Sequence, residues 1–123
     1  MRIVGIGIDL AEIARVEDLL HRYPRFAQRC FTRHEQDYAG RFANPARRFA
    51  ARFAGKEAVM KSMGAGWRRI RWTDVEVTGG GQPRVNLYGT AKSRAAALGV
   101  TSVLVTITHT DTDAMVMAMA VAD

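Results

Sequence analysis

The chain has 123 residues, 18 Lys and Arg against 12 Asp and Glu, a net charge of +6, and 48% hydrophobic residues. This length predicts a single domain over residues 1–123, and the composition excludes disordered and fibrous proteins. One cysteine excludes an intrachain disulfide and a CxxC zinc site, and the absence of a long apolar run and of a secretory N-terminal pattern predicts a cytoplasmic protein that does not bind membranes.

The first predicted elements are a strand and a helix. Residues 2–8 alternate, with glycines on one face, and the strand is expected to end at Asp9. Glycine in a strand permits close approach of another backbone or of a ligand. An amphipathic pattern predicts a helix over residues 10–21, which Pro24 stops.

Two further helices are predicted in the middle of the chain. Thr32 and Glu35 match the capping-box spacing, which predicts a short helix that reaches about Phe42. After an Asn-Pro pair, a longer helix fits the pattern from Ala46 to Met63, where glycines end it.

The second half of the chain is rich in predicted strands. The predicted elements are a hairpin of strands 72–77 and 84–88, a helix over 91–98, and strands over 102–110 and 114–121. This order predicts an α+β fold with a mainly antiparallel sheet and a long central helix.

The last predicted strand is apolar on both faces, with methionines on one and alanines on the other. Both faces should therefore be covered. A chain of this length has few residues left to form a covering layer on each face of the sheet. We therefore expect a neighbouring subunit to contribute to that cover. The alternative is a helix over the alanine face.

The long helix carries a carboxylate in an apolar stripe. Glu57 follows Phe49 and Phe53 at helical spacing, where an ionised carboxylate is costly unless it meets a cation. Lys61, four residues later, could simply pair with it. Asp9, at a glycine-rich strand end, either caps the next helix or holds a hard divalent ion. Together with the nearby basic residues, Asp9 and Glu57 indicate a site for Mg²⁺ and phosphate.

A second stripe of the same helix is basic. Arg48, Arg52 and Lys56 are each four residues apart, so they repel one another, and binding of a polyanion would offset this repulsion. A solvated helix face is the more frequent explanation. His109 is expected to be a structural residue at a strand end, and the three histidines lack the spacing of a zinc site.

Tryptophans and arginines alternate after the long helix. Trp67 and Trp72 flank arginines in a pattern that could stack on single-stranded bases. A basic oligomeric nucleic-acid-binding module without catalysis is therefore the alternative function. It leaves Asp9 and Glu57 unexplained.

Four motifs, in order along nearly the whole chain, resemble one family. They are GIGIDL at 5–10, RFAGKEA at 52–58 followed by Lys61, GQP at 81–83 and TITHT at 106–110. In this combination the chain closely resembles the short, single-domain holo-[acyl-carrier-protein] synthases, which are the small 4'-phosphopantetheinyl transferases.

The resemblance implies a reaction and an assembly. The enzyme would use Mg²⁺ to transfer phosphopantetheine from coenzyme A to a serine of apo acyl carrier protein, in fatty acid biosynthesis, and would release adenosine 3',5'-bisphosphate. It would have the fold of this transferase family and form a homotrimer with coenzyme A in clefts between subunits. Its partners would be coenzyme A and acyl carrier protein, and nucleic acid would not be one of them.

The resemblance also implies roles for single residues. Asp9 and Glu57 would hold the metal, and Lys61 would support the diphosphate. The expected coenzyme contacts are Arg48 or its neighbour Arg47, Arg52, Lys56, Lys61, Gly64, Pro83, His109 and Thr110.

The general base and the docking surface are further expectations. The base would be Glu35 or a metal-associated water. Carrier-protein docking would use arginines against an acidic helix, with one apolar anchor. These docking residues are Arg15, Arg22, Arg25 and Phe26. Three departures from the family pattern, at Ala65, Gln82 and Asp113, concern nucleotide contacts and leave the reaction unchanged.

Overall fold

The computed structural model describes residues 1–123 as an α+β fold with two antiparallel sheets, as expected from the sequence. A short 3-10 turn, Trp72–Asp74, precedes the second strand. The elements are β1 (Arg2–Glu12), α1 (Ile13–Arg22), α2 (Phe26–Cys30), α3 (Arg33–Ala39), α4 (Pro45–Ser62), β2 (Val75–Thr78), β3 (Arg84–Leu87), α5 (Gly89–Leu98), β4 (Ser102–His109) and β5 (Asp113–Ala122). The larger sheet has the strand order β1-β5-β4, and β2 pairs with β3.

The first strand is longer than predicted. It passes through Asp9 and continues to Glu12, because its pairing with β5 continues to the pair Glu12–Asp113. Helix α1 therefore begins at Ile13, and Asp9 is a strand residue that cannot cap it. Sheet pairing supplies partners for the backbone here, which a local capping rule does not consider.

The remaining boundaries follow the predictions closely, with three differences. The strand predicted over 72–77 begins only at Val75, because Trp72–Asp74 forms a 3-10 turn. Helix α3 ends at Ala39, earlier than predicted, although its capping box at Thr32 and Glu35 forms as expected. The five-residue helix α2 was not predicted. The long helix α4 lies within one residue of its predicted bounds.

The glycines of β1 allow the backbone of α4 to lie directly against the sheet. A Cβ added at Gly7 would lie 2.0 Å from the carbonyl oxygen of Ala58, and one at Gly5 would lie 2.0 Å from that of Ser62. Only glycine fits at these two positions without a shift of the backbone. This close contact sets the position of α4 relative to β1.

The two faces of the larger sheet have different surroundings. Helix α4 packs against β1 and β5, and the alanine face of β5 is buried. The opposite face carries apolar side chains that are exposed, such as Leu10 at 58% and Met117 at 39%. We call this the open sheet face. Its side chains are Ile6, Ile8, Leu10, Leu104, Met115 and Met117.

None of the helices combines the length and the hydropathy that crossing a bilayer requires.

Candidate functional site

The crossing of β1 and α4 brings two carboxyl groups together. Asp9 lies on the glycine face of β1, which contacts α4, and its carboxyl group is within hydrogen-bond reach of that of Glu57. Burial, followed by the negative charge of Asp9, raises the pKa of Glu57 to about 7. Two adjacent carboxylates of this kind are stabilised by a proton or by a cation.

Lys61 belongs to the same cluster. Its Nζ lies 3.2 Å from Oδ1 of Asp9 and 3.1 Å from the carbonyl oxygen of Ile8. The ion pair that this lysine forms is with Asp9 and not with Glu57, the partner considered from helical spacing. Three predicted site residues that are far apart in the chain therefore meet at one place.

Asp9 and Glu57 open into a cleft of about 520 Å³, which we call the acidic cleft. Asp9 and Glu57 line it together with two further acidic residues, Glu12 and Asp113, and with apolar side chains such as Leu19 and Trp67. Arg15, predicted to bind the carrier protein, also lines this cleft, and its charge lowers the pKa of Glu57 in opposition to burial and Asp9. The cleft combines a cation-binding pair with an apolar surface.

A second cleft, of about 560 Å³, contains another group of predicted residues. We call it the basic cleft. Arg48 and Arg52 from α4, Pro83 from the turn after β2, and His109 from the end of β4 all line it, together with Arg47. The Nε atoms of the three arginines are buried and have no hydrogen-bond partner. Buried donors of this kind are stabilised by an anion such as phosphate.

Two other predicted contacts lie outside both clefts. Gly64 follows α4 with a φ of 65°, where the side chain of Arg94 lies close to it. The Oγ1 atom of Thr110 accepts hydrogen bonds from the backbone N–H groups of Thr112 and Asp113 in the turn before β5. Neither residue lines a cleft, although the N–H group of Gly64 donates to the carbonyl oxygen of Lys61 at 3.0 Å and Thr110 directly follows His109.

The structure contradicts two of the predicted roles, those of Glu35 and Lys56. Both side chains have no exposed surface, and the Lys56 Nζ lies 2.6 Å from Oε1 of Glu35. Glu35 also accepts hydrogen bonds from the backbone N–H groups of Thr32 at 2.9 Å and Val77 at 2.8 Å. The ammonium group of Lys56 donates to the carbonyl oxygens of Trp72 and Val75 as well. Lys56 therefore cannot contact a coenzyme, and Glu35 is not free to accept a proton from a substrate.

The predicted docking residues lie around the end of α1. Arg22 and Arg25 are exposed, and Arg22 forms an ion pair with Asp18 at 3.1 Å. Phe26 is half-buried, with its ring 5.8 Å from that of Phe31 and 5.7 Å from that of Phe53. Part of its surface therefore belongs to the core.

Several cleft residues were not predicted as site residues. Trp67 and Trp72, considered above for nucleic acid, line the acidic cleft, where adjacent carboxylates would repel a phosphate backbone. Trp72 stacks on Phe53 with the ring centroids 4.8 Å apart. Tyr38 of α3 and Phe42 of the loop that follows α3 line the basic cleft. Their spacing of four residues matches that of Arg48 and Arg52, which is the only sequence signal that could have identified them.

Comparison with known proteins gives a family match. Residues 5–117 match the model of the 4'-phosphopantetheinyl transferase superfamily. A protein of Solibacter usitatus named holo-[acyl-carrier-protein] synthase is 46% identical over 108 residues, which are 85% of this chain and 86% of that protein. A protein of the same name from Streptomyces coelicolor is 44% identical over 104 residues, 83% of this chain and 84% of that protein.

Solved structures with similar folds include ligand complexes. The acyl carrier protein synthase of Plasmodium yoelii with ADP bound has a TM-score of 0.91 and 28% identity, covering 99% of this chain and 97% of that one. A holo-(acyl-carrier-protein) synthase from Bacillus anthracis in complex with CoA (3',5'-ADP) has a TM-score of 0.81 and 26% identity, covering 100% of both chains.

Proposed function

The chain belongs to the 4'-phosphopantetheinyl transferase superfamily as a holo-[acyl-carrier-protein] synthase, and we propose on that basis that its acidic and basic clefts serve one reaction. The reaction transfers phosphopantetheine from coenzyme A to a serine of apo acyl carrier protein and releases adenosine 3',5'-bisphosphate. We assign the enzyme to fatty acid biosynthesis in the cytoplasm.

The observation that carries the proposal is the meeting of Asp9 and Glu57. These carboxyl groups come from different elements, and burial together with the charge of Asp9 makes ionisation of Glu57 less favourable. Their oxygens are the hard ligands that Mg²⁺ prefers, and Mg²⁺ typically takes one or two carboxylates together with substrate phosphates. We therefore assign Asp9 and Glu57 as the metal ligands. The bound ion would neutralise charge on the pyrophosphate oxygens of coenzyme A.

The remaining site residues bind and orient the coenzyme. Lys61, held by Asp9, places an ammonium group where it supports the diphosphate. Arg48, Arg52 and His109 in the basic cleft bind the phosphates of the nucleotide, with Pro83 beside them. Planar guanidinium groups suit phosphate oxygens, and their unpartnered Nε atoms support this assignment.

A homotrimer would unite the two clefts. Each chain contains an acidic cleft and a separate basic cleft, and an exposed apolar sheet face of six large side chains. Such a surface is typical of an interface between subunits. We propose that the open sheet face packs against neighbouring subunits, so that the acidic cleft of one chain faces the basic cleft of the next. Gly64 and Thr110 would contact the coenzyme across that interface.

The carrier protein would dock beside the acidic cleft. Arg15 lines that cleft, Arg22 is the exposed last residue of α1, and Arg25 is exposed in the turn between α1 and α2. Three positive charges in sequence along one surface complement an acidic helix and guide its approach. The exposed part of Phe26 supplies an apolar anchor.

The test is direct. The chain is incubated with coenzyme A, Mg²⁺ and an apo acyl carrier protein, and the carrier mass is measured. We expect a gain of one phosphopantetheine per carrier, and no gain when the metal is chelated. An unchanged carrier mass with Mg²⁺ present would contradict the proposed reaction, and full transfer in chelator would contradict the metal assignment.

A further inference from the structure

Two aromatic rings, Tyr38 of α3 and Phe42 of the loop between α3 and α4, lie against two arginines of α4 in the basic cleft. The guanidinium carbon of Arg48 is 4.0 Å from the ring centroid of Phe42, and that of Arg52 is 4.4 Å from the ring centroid of Tyr38. The two rings contact each other edge to face, with centroids 5.1 Å apart. We call Tyr38 and Phe42 the aromatic shelf.

The shelf holds the arginines without neutralising their charge. Arg52 is 5% exposed, and burial lowers its pKa. Neither Arg48 nor Arg52 takes part in any of the ion pairs of the structure. An aromatic face attracts a cation through its quadrupole, but it supplies no formal negative charge. The full positive charge of both guanidinium groups is therefore available to a bound anion.

The aromatic shelf also contacts the turn formed by residues 79–81, which lines the basic cleft. Arg52 donates a hydrogen bond from Nη2 to the carbonyl oxygen of Gly79 at 3.1 Å. The hydroxyl group of Tyr38 lies against Gly80, where it would be 3.1 Å from an added Cβ. The ring of Tyr38 thus packs against the guanidinium group of Arg52, and its hydroxyl group packs against the turn. Its position links α3, α4 and the loop between β2 and β3.

From this geometry we infer that Tyr38 and Phe42 are positioning residues for the nucleotide end of coenzyme A. They hold Arg52 and Arg48 in the orientation in which their planar groups meet phosphate oxygens. The shelf does not touch the reacting atoms, so its effect is on binding of the nucleotide and not on the chemical step. The inference rests on the proposed function of the basic cleft.

The experiment compares leucine variants of the shelf with variants that keep an aromatic ring. For Phe42→Leu and Tyr38→Leu we expect the KM for coenzyme A to rise about five- to thirtyfold, with kcat within about twofold of the wild type. Titration calorimetry with adenosine 3',5'-bisphosphate should show a similar loss of affinity. Phe42→Tyr keeps the ring against Arg48 and should bind like the wild type. Tyr38→Phe keeps the ring against Arg52 but removes the hydroxyl group beside Gly80, so its loss of affinity should be smaller than that of Tyr38→Leu.

A double-mutant cycle and a core variant separate positioning from stability. In an Arg48→Gln background, Phe42→Leu should have no further effect on nucleotide affinity, because the shelf acts through Arg48. Phe49→Leu removes a ring of similar size that packs on Phe31 in the core, and it should lower thermal stability without raising KM.

The outcomes distinguish this inference from the function on which it rests. A wild type that transfers phosphopantetheine, together with a folded Phe42→Leu variant of unchanged KM, would overturn the shelf alone. Equal rises of KM in Phe42→Leu and Phe49→Leu would also overturn it. A wild-type chain that neither binds the nucleotide nor modifies a carrier would overturn the proposed function itself.

Discussion

At the residue scale, the pairing of Asp9 with Glu57 determines what the acidic cleft can bind. With the pKa of Glu57 at about 7, the metal-free chain keeps a proton on this pair up to neutral pH. A divalent cation competes with that proton for the same oxygens. Metal binding should therefore strengthen as the pH rises.

Replacing Glu57 tests this pairing. We expect Glu57→Gln to lower transfer at least about 100-fold while the chain stays folded, because one metal ligand is lost. The measurement is the carrier-mass assay, with circular dichroism as the check of folding. Full activity of this variant would contradict the assigned role.

The same variant has a testable pH dependence. The metal-free folded chain binds the Glu57 proton more tightly than the unfolded chain, whose glutamates titrate near 4.5. The unfolding free energy of the wild type should therefore fall by roughly 2 to 3 kcal/mol between pH 4.5 and pH 7 relative to that of Glu57→Gln. Urea titrations in chelator at both pH values measure this difference. Parallel pH profiles of the two proteins would contradict it.

The buried pair of Glu35 and Lys56 has a structural effect of its own. Lys56→Met leaves an uncompensated buried carboxylate and should cost about 3 to 5 kcal/mol of unfolding free energy. The double variant Lys56→Met with Glu35→Gln removes both charges and should recover part of that loss. Urea denaturation of the four proteins of this cycle measures the coupling. A Lys56→Met variant as stable as the wild type would show that the pair is dispensable.

At the element scale, the contact between β1 and α4 creates the acidic cleft. Because Gly5 and Gly7 lack side chains, the strand and the helix lie close enough for Asp9 to reach Glu57. Glycine weakens a strand, so this close contact has a cost in local stability. The site depends directly on it.

A single methyl group at this contact should be very disruptive. The Cβ of Gly7→Ala would lie 2.0 Å from the carbonyl oxygen of Ala58, so we expect a loss of more than about 4 kcal/mol or a failure to fold. Gly66→Ala is the matched control, because an added Cβ there meets nothing within 4 Å. Thermal melts of both variants measure the effect. Equal melting temperatures would refute the backbone contact.

The end of α1 is the element expected to meet the carrier protein. Arg25→Glu should raise the KM for the carrier several-fold at low salt and leave the KM for coenzyme A unchanged. Lys92→Glu, an equal change of charge on the exposed face of α5, should alter neither constant. Arg15→Glu should weaken carrier use more than coenzyme binding. Equal losses for both substrates would count against the docking surface.

At the scale of the whole molecule, the open sheet face leaves the fold incomplete as a monomer. Helix α4 covers one face of the larger sheet, and no element of the chain covers the other. Such an apolar surface is costly in water. Association would bury it and would join the acidic cleft of one chain to the basic cleft of another.

A charge on this face should prevent assembly. We expect Met117→Lys to sediment as a monomer and to lose transfer, because each site would need residues from two chains. Ala97→Lys, on the exposed surface of α5, should sediment and transfer like the wild type. Sedimentation velocity and the carrier-mass assay measure both properties. A wild type that is monomeric and fully active would exclude sites shared between subunits.

The local patterns of the sequence were sufficient for much of the architecture. Period-two and period-3.6 spacing located β5 and α4 to within a residue, and the Thr32–Glu35 spacing predicted a capping box that forms. The motifs around Asp9 and Glu57 indicated the family. These features depend on neighbours along the chain, so they can be read without knowledge of the fold.

The tertiary structure alone decided which charged residues reach a cleft. Arg52 and Lys56 stand one helical turn apart in the same basic stripe, yet Arg52 lines a cleft while Lys56 is buried beneath the segment that leads into β2. The local sequence likewise permitted Asp9 to cap a helix, whereas pairing with β5 extends the strand beyond Asp9. Burial and sheet pairing depend on segments distant in sequence, and no local pattern contains that information.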